Sequence, residues 1–394
     1  MNRLIIDIDS LKYNLGVINK WMDRQGSSWT VVTKVLCGHS DTLKALQMLG
    51  IKSIGDTRLS NIRAIEKIDD SFETWYLRVT DLSSIKDIVS LCNVSLNSEM
   101  AVIKAINDEA KIQNRLHKVI IMIELGDLRE GILPGSLVNF YEDVFRLSNI
   151  EVLGIGANIG CMAGAVPSVD QFMQLVLYKE LLELKFKRKL SMISAGSSVV
   201  LPMVLSGQLP KPINHFRIGE AIFLGTDLVN SETLPYLSNE VVLLEAEIVE
   251  IKKKGLTPLV ETGAQTPFSN DFSEEVSPGQ RGYRALVNIG QLDTDISGLT
   301  PMNPDYNVTG ASSDITVVNV GEDTSGLKVG DSIKFRLNYS ALLRLMSSKY
   351  IKKELKPSLN KLANLDRKER FEVVPVIDQD DLNKKGRQLD NPTK

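Results

Sequence analysis

Four stretches of this chain carry residues able to do chemistry. The first is Trp29-Thr30-Val31-Val32-Thr33-Lys34-Val35-Leu36-Cys37-Gly38-His39, an apolar run closed by a lysine. A partly desolvated amine is a nucleophile that condenses with an aldehyde. The second is Ile123-Glu124-Leu125-Gly126-Asp127-Leu128-Arg129-Glu130-Gly131-Ile132, in which a charged turn flanked by glycines follows an apolar run. The third is Met192-Ile193-Ser194-Ala195-Gly196-Ser197-Ser198, where small residues let backbone N–H groups and hydroxyls approach a phosphate. The fourth is His215-Phe216-Arg217-Ile218-Gly219-Glu220-Ala221-Ile222-Phe223-Leu224-Gly225, an arginine leading into an apolar segment. Taken singly, each has an ordinary reading: a solvated strand end, a surface loop, a turn, a buried ion pair.

These stretches must be held by elements, and the periodicity supplies them. Up to about residue 230, β-branched runs such as Leu4 to Ile8, Thr30 to Lys34, Ser53 to Gly55, Trp75 to Val79, Asn93 to Leu96, Val119 to Glu124, Val152 to Gly156, Met192 to Ser194 and Ala221 to Leu224 read as strands. Segments of helical period lie between them: Ser10 to Met22, Asp41 to Leu49, Arg58 to Ile68, Ser98 to Glu109, Leu137 to Leu147 and Val169 to Phe186. Eight or nine strand-helix units predict an α/β chain with a (β/α)8 TIM-like barrel over residues 1–232, whose catalytic groups sit at the carboxyl ends of the strands. Beyond it, runs at Val241 to Ile251, Pro258 to Glu261, Ala285 to Ile289, Tyr306 to Thr309, Ile315 to Val320 and Ser332 to Leu337 alternate with turns, which predicts a C-terminal all-β domain over 233–351. Residues 352–394 are charged and polar and read as a tail.

Composition narrows the class of function. The 394 residues are 43% hydrophobic, enough for two domains, and carry 46 Lys and Arg against 49 Asp and Glu. With no basic stripe, a nucleic-acid or membrane partner is not expected, and small molecules are the better match. Three scattered cysteines and three histidines predict neither a disulfide framework nor a metal site. Acids at Asp7 and Asp9 interrupt the first apolar run, and no stretch approaches the length of a membrane span, so the expected location is the cytoplasm.

The order of the four stretches is specific where each alone is not. A lysine strand, a Gly-flanked arginine turn, a hydroxyl loop and an Arg-x-Gly segment, in that order, resemble the alanine racemases over roughly residues 3 to 351. Glu124-Leu125-Gly126-Asp127-Leu128-Arg129-Glu130-Gly131, Gly290-Gln291-Leu292-Asp293-Thr294-Asp295-Ile296 and Gly310-Ala311-Ser312-Ser313-Asp314 resemble the ornithine racemase branch of that family. The resemblance implies a pyridoxal 5'-phosphate enzyme that interconverts L and D amino acids, ornithine or a related basic one first among them. It further implies a homodimer in which the β domain of the partner completes each site. Lys34 matches the lysine that holds the cofactor and serves as one base. Arg217 matches the arginine facing the pyridine nitrogen. Ser194, Ser197, Ser198, Gly219 and Glu220 fall in the segments around the cofactor and its phosphate. Arg129 matches the arginine beside the phenolic oxygen, where it also meets the substrate, and Asn158 stands where alanine racemases stack a histidine. Gln291, Ser312 and Ser313 fall among the substrate contacts.

The pattern also departs from the family. Alanine racemases use a tyrosine of the second subunit as the base on the opposite face, and Gln291 occupies its place; an amide takes no proton near neutral pH. Asp293, Asp314 and Cys161 are the candidates for that base, each with a plain structural alternative. The acids Asp293, Asp295 and Asp314 are also candidates to pair with a substrate's distal ammonium. Two rival functions share the fold type. A decarboxylase is disfavoured because its β-domain cysteine and acid motifs are not found here, and a non-catalytic cofactor carrier is disfavoured because such chains are barrel only.

Overall fold

In the computed structural model, which describes residues 2–162, 164–257, 279–324 and 326–364, the chain divides into two compact units. Of these residues, one unit takes those within 12–34, 38–237 and 362–364; the other takes those within 2–11, 35–37 and 238–361. Its first strand is β1 (Arg3–Asp7). The strands β2 (Ser28–Val32), β3 (Ser53–Asp56), β4 (Glu73–Tyr76), β5 (Val94–Asn97), β6 (His117–Met122), β7 (Ile150–Gly156), β8 (Met192–Ser197) and β9 (His215–Ile218) close a barrel in chain order. All pairings are parallel, and β2 meets β9 with Thr30 beside Arg217. The helices α1 (Ile8–Gln25), α2 (Ser40–Met48), α3 (Leu59–Glu66), α4 (Ile85–Leu91), α5 (Met100–Ile112), α6 (Leu137–Val144), α7 (Val169–Phe186), α8 (Leu201–Leu205) and α9 (Glu220–Leu224) belong to the connections. This is the TIM-like architecture that the alternating periodicity predicts. The best-marked helix is α7, where Ser168 and Gln171 form a reciprocal capping box and Lys187 ends the helix in a left-handed conformation.

The barrel is filled by apolar side chains of its short strands, with Trp75, Val94, Leu96, Ile120 and Met122 packed as one cluster. Some polar residues of this interior are paired with one another. The rings of Trp75 and His215, from strands that are not neighbours, stack at 4.4 Å across the barrel. His215 bonds Ser194 Oγ through Nδ1 (2.8 Å) and Thr30 Oγ1 through Nε2 (3.1 Å).

After a short hairpin of β10 (Thr226–Asp227) and β11 (Glu232–Thr233), the second unit supplies β12 (Val242–Gly255), β13 (Arg281–Val287), β14 (Leu299–Pro301), β15 (Asn307–Ala311), β16 (Thr316–Gly321), β17 (Ser332–Leu337) and β18 (Lys352–Lys356). The order β14-β17-β12-β13-β16-β15 is antiparallel throughout, and β1 joins it against β12. Helices α10 (Tyr339–Ser347) and α11 (Leu359–Asn364) follow β17 and β18.

Several expectations change. The run at Leu4 to Ile8 is not a barrel strand: β1 pairs with β12 and, in parallel, with β18. Residues 352–356 are therefore a paired strand and not the start of a tail. Their central residues are partly buried, and Arg3 reaches Glu245 and Glu354 there. Ala221 to Leu224 is helical, because a four-residue apolar run fits a buried helix turn as well as a strand. The eighth barrel strand is instead His215–Ile218, whose His and Arg disguise it. The predicted all-β domain also carries α10. Pro258 to Glu261 and residues 365–394 lie outside the described residues. Among the described residues, no helix is long and apolar enough to cross a membrane.

Candidate active site

The carboxyl ends of the barrel strands gather most of the predicted residues. Lys34 follows β2, the Glu124 to Gly131 loop follows β6, Asn158 and Cys161 follow β7, Ser197 and Ser198 end β8, and Gly219 and Glu220 follow Arg217 of β9. Arg217 is buried, and burial is the main reason its guanidinium falls to about 10 from its ordinary value, still protonated at neutral pH. It is held by oxygens without formal charge: Nη1 donates to Ser194 O (2.5 Å) and Oγ (2.6 Å), and Nη2 to Ala157 O (2.9 Å) and Asn158 Oδ1 (2.8 Å). The amide of Asn158 is thereby oriented with its nitrogen outward, and Nδ2 donates to Glu130 Oε1. Glu130 is ion-paired with Arg129, whose Nη2 reaches Oε1 at 2.6 Å and whose Nη1 lies 2.8 Å from Cys161 Sγ. A continuous run of bonds thus links Arg217, Asn158, Glu130, Arg129 and Cys161. The hydrogen bonds that Arg129 donates to Glu130, followed in size by the opposing effect of burial, leave Arg129 more firmly protonated than usual.

Two carboxylates shape the loop that carries Arg129. Glu124 accepts from the backbone N–H groups of Gly126, Leu128 (3.1 Å) and Arg129 (3.2 Å), folding the turn back on its own strand. Asp127 Oδ1 accepts from the N–H groups of Cys161 and Met162, each at 3.0 Å, which fastens the loop after β6 to the one after β7. Gly131 closes the turn at φ +149, and a Cβ there would stand 2.2 Å from Glu124 N, so no other residue fits. The Ser197-Ser198 segment is set similarly. A Cβ on Gly196 would strike the Phe216 ring at 1.9 Å, and Ser198 Oγ accepts from Ala221 N at 3.2 Å, tying the ends of β8 and β9 together. The Glu220 carboxyl is pushed up to about 7, chiefly by burial, with the Lys34 ammonium opposing the rise.

The family model for the N-terminal domain of alanine racemase matches residues 6–227. The chain is 35% identical over 354 residues to an ornithine racemase of Acetoanaerobium sticklandii, covering 90% of this chain and 99% of that one. The chain belongs to the alanine racemase family. It is also 32% identical over 359 residues to a lysine racemase of Thermotoga maritima, covering 91% of this chain and 99% of the relative. Among solved structures, the alanine racemase of Bartonella henselae with covalently bound pyridoxal phosphate shares the fold at a TM-score of 0.68 and 12% identity, covering 90% of this chain and 99% of that one.

The barrel residues of this family member suit a group with an aldehyde, a basic ring nitrogen and a phosphate. The set offers an amine at Lys34, a guanidinium at Arg217 held by oxygens without formal charge, and the hydroxyl segment at Ser197 and Ser198. From Glu220 the backbone N–H is the group suited to the phosphate.

The remaining predicted residues lie in the second unit. Gln291 N donates to Ser312 O (3.1 Å) and Leu292 N to Ser313 O (2.9 Å), so the two loops are laced together. Asp293 accepts from Gly290 N at 3.1 Å. Asp314 accepts from the hydroxyls of Ser312 (3.0 Å) and Ser313 (3.4 Å). The Asp295 carboxylate sits below its ordinary range because the Ser340 and Ser297 hydroxyls donate to it, the arrangement of a structural acid. Sequence reasoning passed over Glu130 and Asp127 as functional residues, although both stand inside the quoted charged turn. Their signal was the density of acids beside Arg129, which a buried arginine network requires.

Proposed function

We propose that the chain is a pyridoxal-phosphate-dependent racemase of ornithine or a related basic amino acid, active as a cytoplasmic homodimer. The observation that carries this reading is the adjacency of β2 and β9, which sets the strand leading to Lys34 beside the one bearing Arg217, within a chain whose relatives along nine-tenths of its length are racemases of ornithine and lysine. When bound, the cofactor supplies an electron sink that acidifies the substrate's α-proton. Lys34 holds the cofactor and moves that proton on one face. Arg217 has five donors and no acceptor, so a ring nitrogen facing it stays unprotonated. Ser197 and Ser198, with the backbone N–H groups of Gly219 and Glu220, hold the phosphate, while Ser194 and Asn158 hold Arg217 in place. Arg129 orients the substrate carboxylate and the phenolic oxygen. The base on the other face is drawn from Cys161, Asp293 and Asp314, and Gln291, Ser312 and Ser313 complete the substrate contacts.

The test is a chiral assay of the purified protein on a panel of amino acids, coupled to borohydride reduction and peptide mapping. The expected results are racemisation of ornithine or lysine and a cofactor adduct on Lys34 that is lost in Lys34→Ala. An adduct on another lysine, or a panel without turnover, overturns the reading. Solvent-deuterium exchange followed for each enantiomer in Cys161→Ala, Asp293→Asn and Asp314→Asn identifies the second base as the residue whose loss stops exchange of one enantiomer alone.

A further inference from the structure

A small, half-open cleft lies at the ends of β4, β5 and β6, its enclosed part of about 10 Å³ holding one group the size of a water molecule or an ammonium head, lined by Val79, Leu96 and Met122 on its apolar side and by Thr80, Asn97, Glu99 and Glu130 on its polar side. Thr80 and Asn97 are 5% and 4% exposed, yet Thr80 Oγ1 and Asn97 Oδ1 make no hydrogen bond among the described residues. Two such atoms in one cleft are unusual, because a buried polar group left unpaired forfeits the free energy of its lost hydration.

The orientation of Asn97 is fixed from behind. Its Nδ2 donates to Ser95 O (3.2 Å) and Ser95 Oγ (2.9 Å). The Ser95 hydroxyl is itself held in a hydrogen bond 2.8 Å from His117 Nε2, a ring that burial keeps neutral. Asn97 therefore turns an acceptor, and only an acceptor, to the cleft. No lining residue is basic, and Glu130 is already paired with Arg129, which leaves Glu99 as uncompensated negative charge at the rim. An ammonium has three donors and no acceptor. An ammonium head thus matches the enclosed part of the cleft in its size and its acceptors, with the apolar wall beside it.

We propose that this cleft is the subsite for the amino group at the far end of the substrate's side chain, with Thr80 Oγ1 and Asn97 Oδ1 as its specificity-determining acceptors. The inference rests on the racemase reading above. It also differs from the expectation that Asp293, Asp295 or Asp314 supplies the partner, since each of those carboxylates already receives donors within the second unit.

The test compares ornithine with 2-aminopentanoate, which lacks only the terminal nitrogen, in Thr80→Val and Asn97→Leu. A hydrogen bond to a charged group changes kcat/KM for ornithine about tenfold to a hundredfold. Losses of that size on ornithine with less than about twofold change on 2-aminopentanoate are expected. Thr80→Val is isosteric and keeps the test valid if Asn97→Leu fails to fold. Equal losses on both compounds, or an unchanged preference, overturn the subsite. A parent protein that racemises no amino acid refutes the racemase reading instead. The subsite is then judged by calorimetry, where ornithine must bind the parent more tightly than Thr80→Val while 2-aminopentanoate binds both alike.

Discussion

The buried body of the barrel and its mouth treat ionisable groups in opposite ways. In the body, His215 and His117 are 2% exposed and burial holds them near 3 and 4, so both rings are neutral and satisfied by hydroxyls. At the mouth, Arg217, Arg129 and Glu130 keep their charges because donors, acceptors or an opposite charge are arranged around them, whereas the Glu220 carboxyl is raised to about 7 by burial. The two regions respond to pH with opposite sign. A buried neutral histidine binds fewer protons than its unfolded counterpart, so stability is lost as pH falls from 6.5 toward 4. Glu220, raised from 4.5 to about 7, binds more protons when folded, so stability is lost as pH rises through that window.

The largest expected effect tests the body. Unfolding by urea at stepped pH should lose about 5 kcal/mol between pH 6.5 and 4 from the two histidines together. Phe in place of His215 and Gln in place of His117 should each flatten that slope by roughly one proton. A slope unchanged in both variants would show that the histidines are protonated in the fold. The mouth gives the next effect. Glu220→Gln should leave stability at pH 4 unaltered and raise it at pH 8 by about 2 kcal/mol, allowing for the partial exposure of this residue. A variant that is less stable at pH 8 would mean the carboxylate is stabilised by Lys34 more than it is penalised by burial. The smallest effect sharpens the boundary between the regions. Arg129 is one-third exposed but Glu130 only 8%, so Arg129→Met, which leaves that carboxylate to Asn158 alone, should lower stability by about 1 to 2 kcal/mol. A drop several times larger would place this pair with the buried groups.

Much of this arrangement is legible in the residues themselves. Val169–Phe186 and Ser332–Leu337 have the limits their patterns predict, because a capping box and alternating apolar residues are local signals. Lys34, Arg129, Asn158, Ser194, Ser197, Ser198, Arg217, Gly219 and Glu220 come to one end of one barrel, as the order of motifs predicts. What could not be read depends on distant partners. Arg3–Asp7 reads as a strand but does not reveal its sheet, since Lys352–Lys356, its neighbour, looks like tail sequence. His215–Ile218 hides its strand character because its polar side chains find Ser194, Thr30 and Asn158 only after the barrel closes. The unpaired acceptors of Thr80 and Asn97 are invisible in one dimension, for the same letters with different neighbours would be satisfied.

The parallel pairing of Arg3–Asp7 with Lys352–Lys356 has a consequence in time. During synthesis the earlier strand leaves the ribosome about 350 residues ahead of its partner, an interval of roughly 20 to 70 s at ordinary elongation rates. Residues 12–237, which contain every strand of the barrel, emerge within that interval and have all their sheet partners at hand. The sheet containing β1 does not. Its apolar Leu4, Ile5 and Ile6 wait as an unmatched edge, the kind of segment that chaperones shield and that pairs with foreign strands when crowded. Birth order therefore divides the molecule into an early part that can settle alone and a late part whose first strand is made first and placed last.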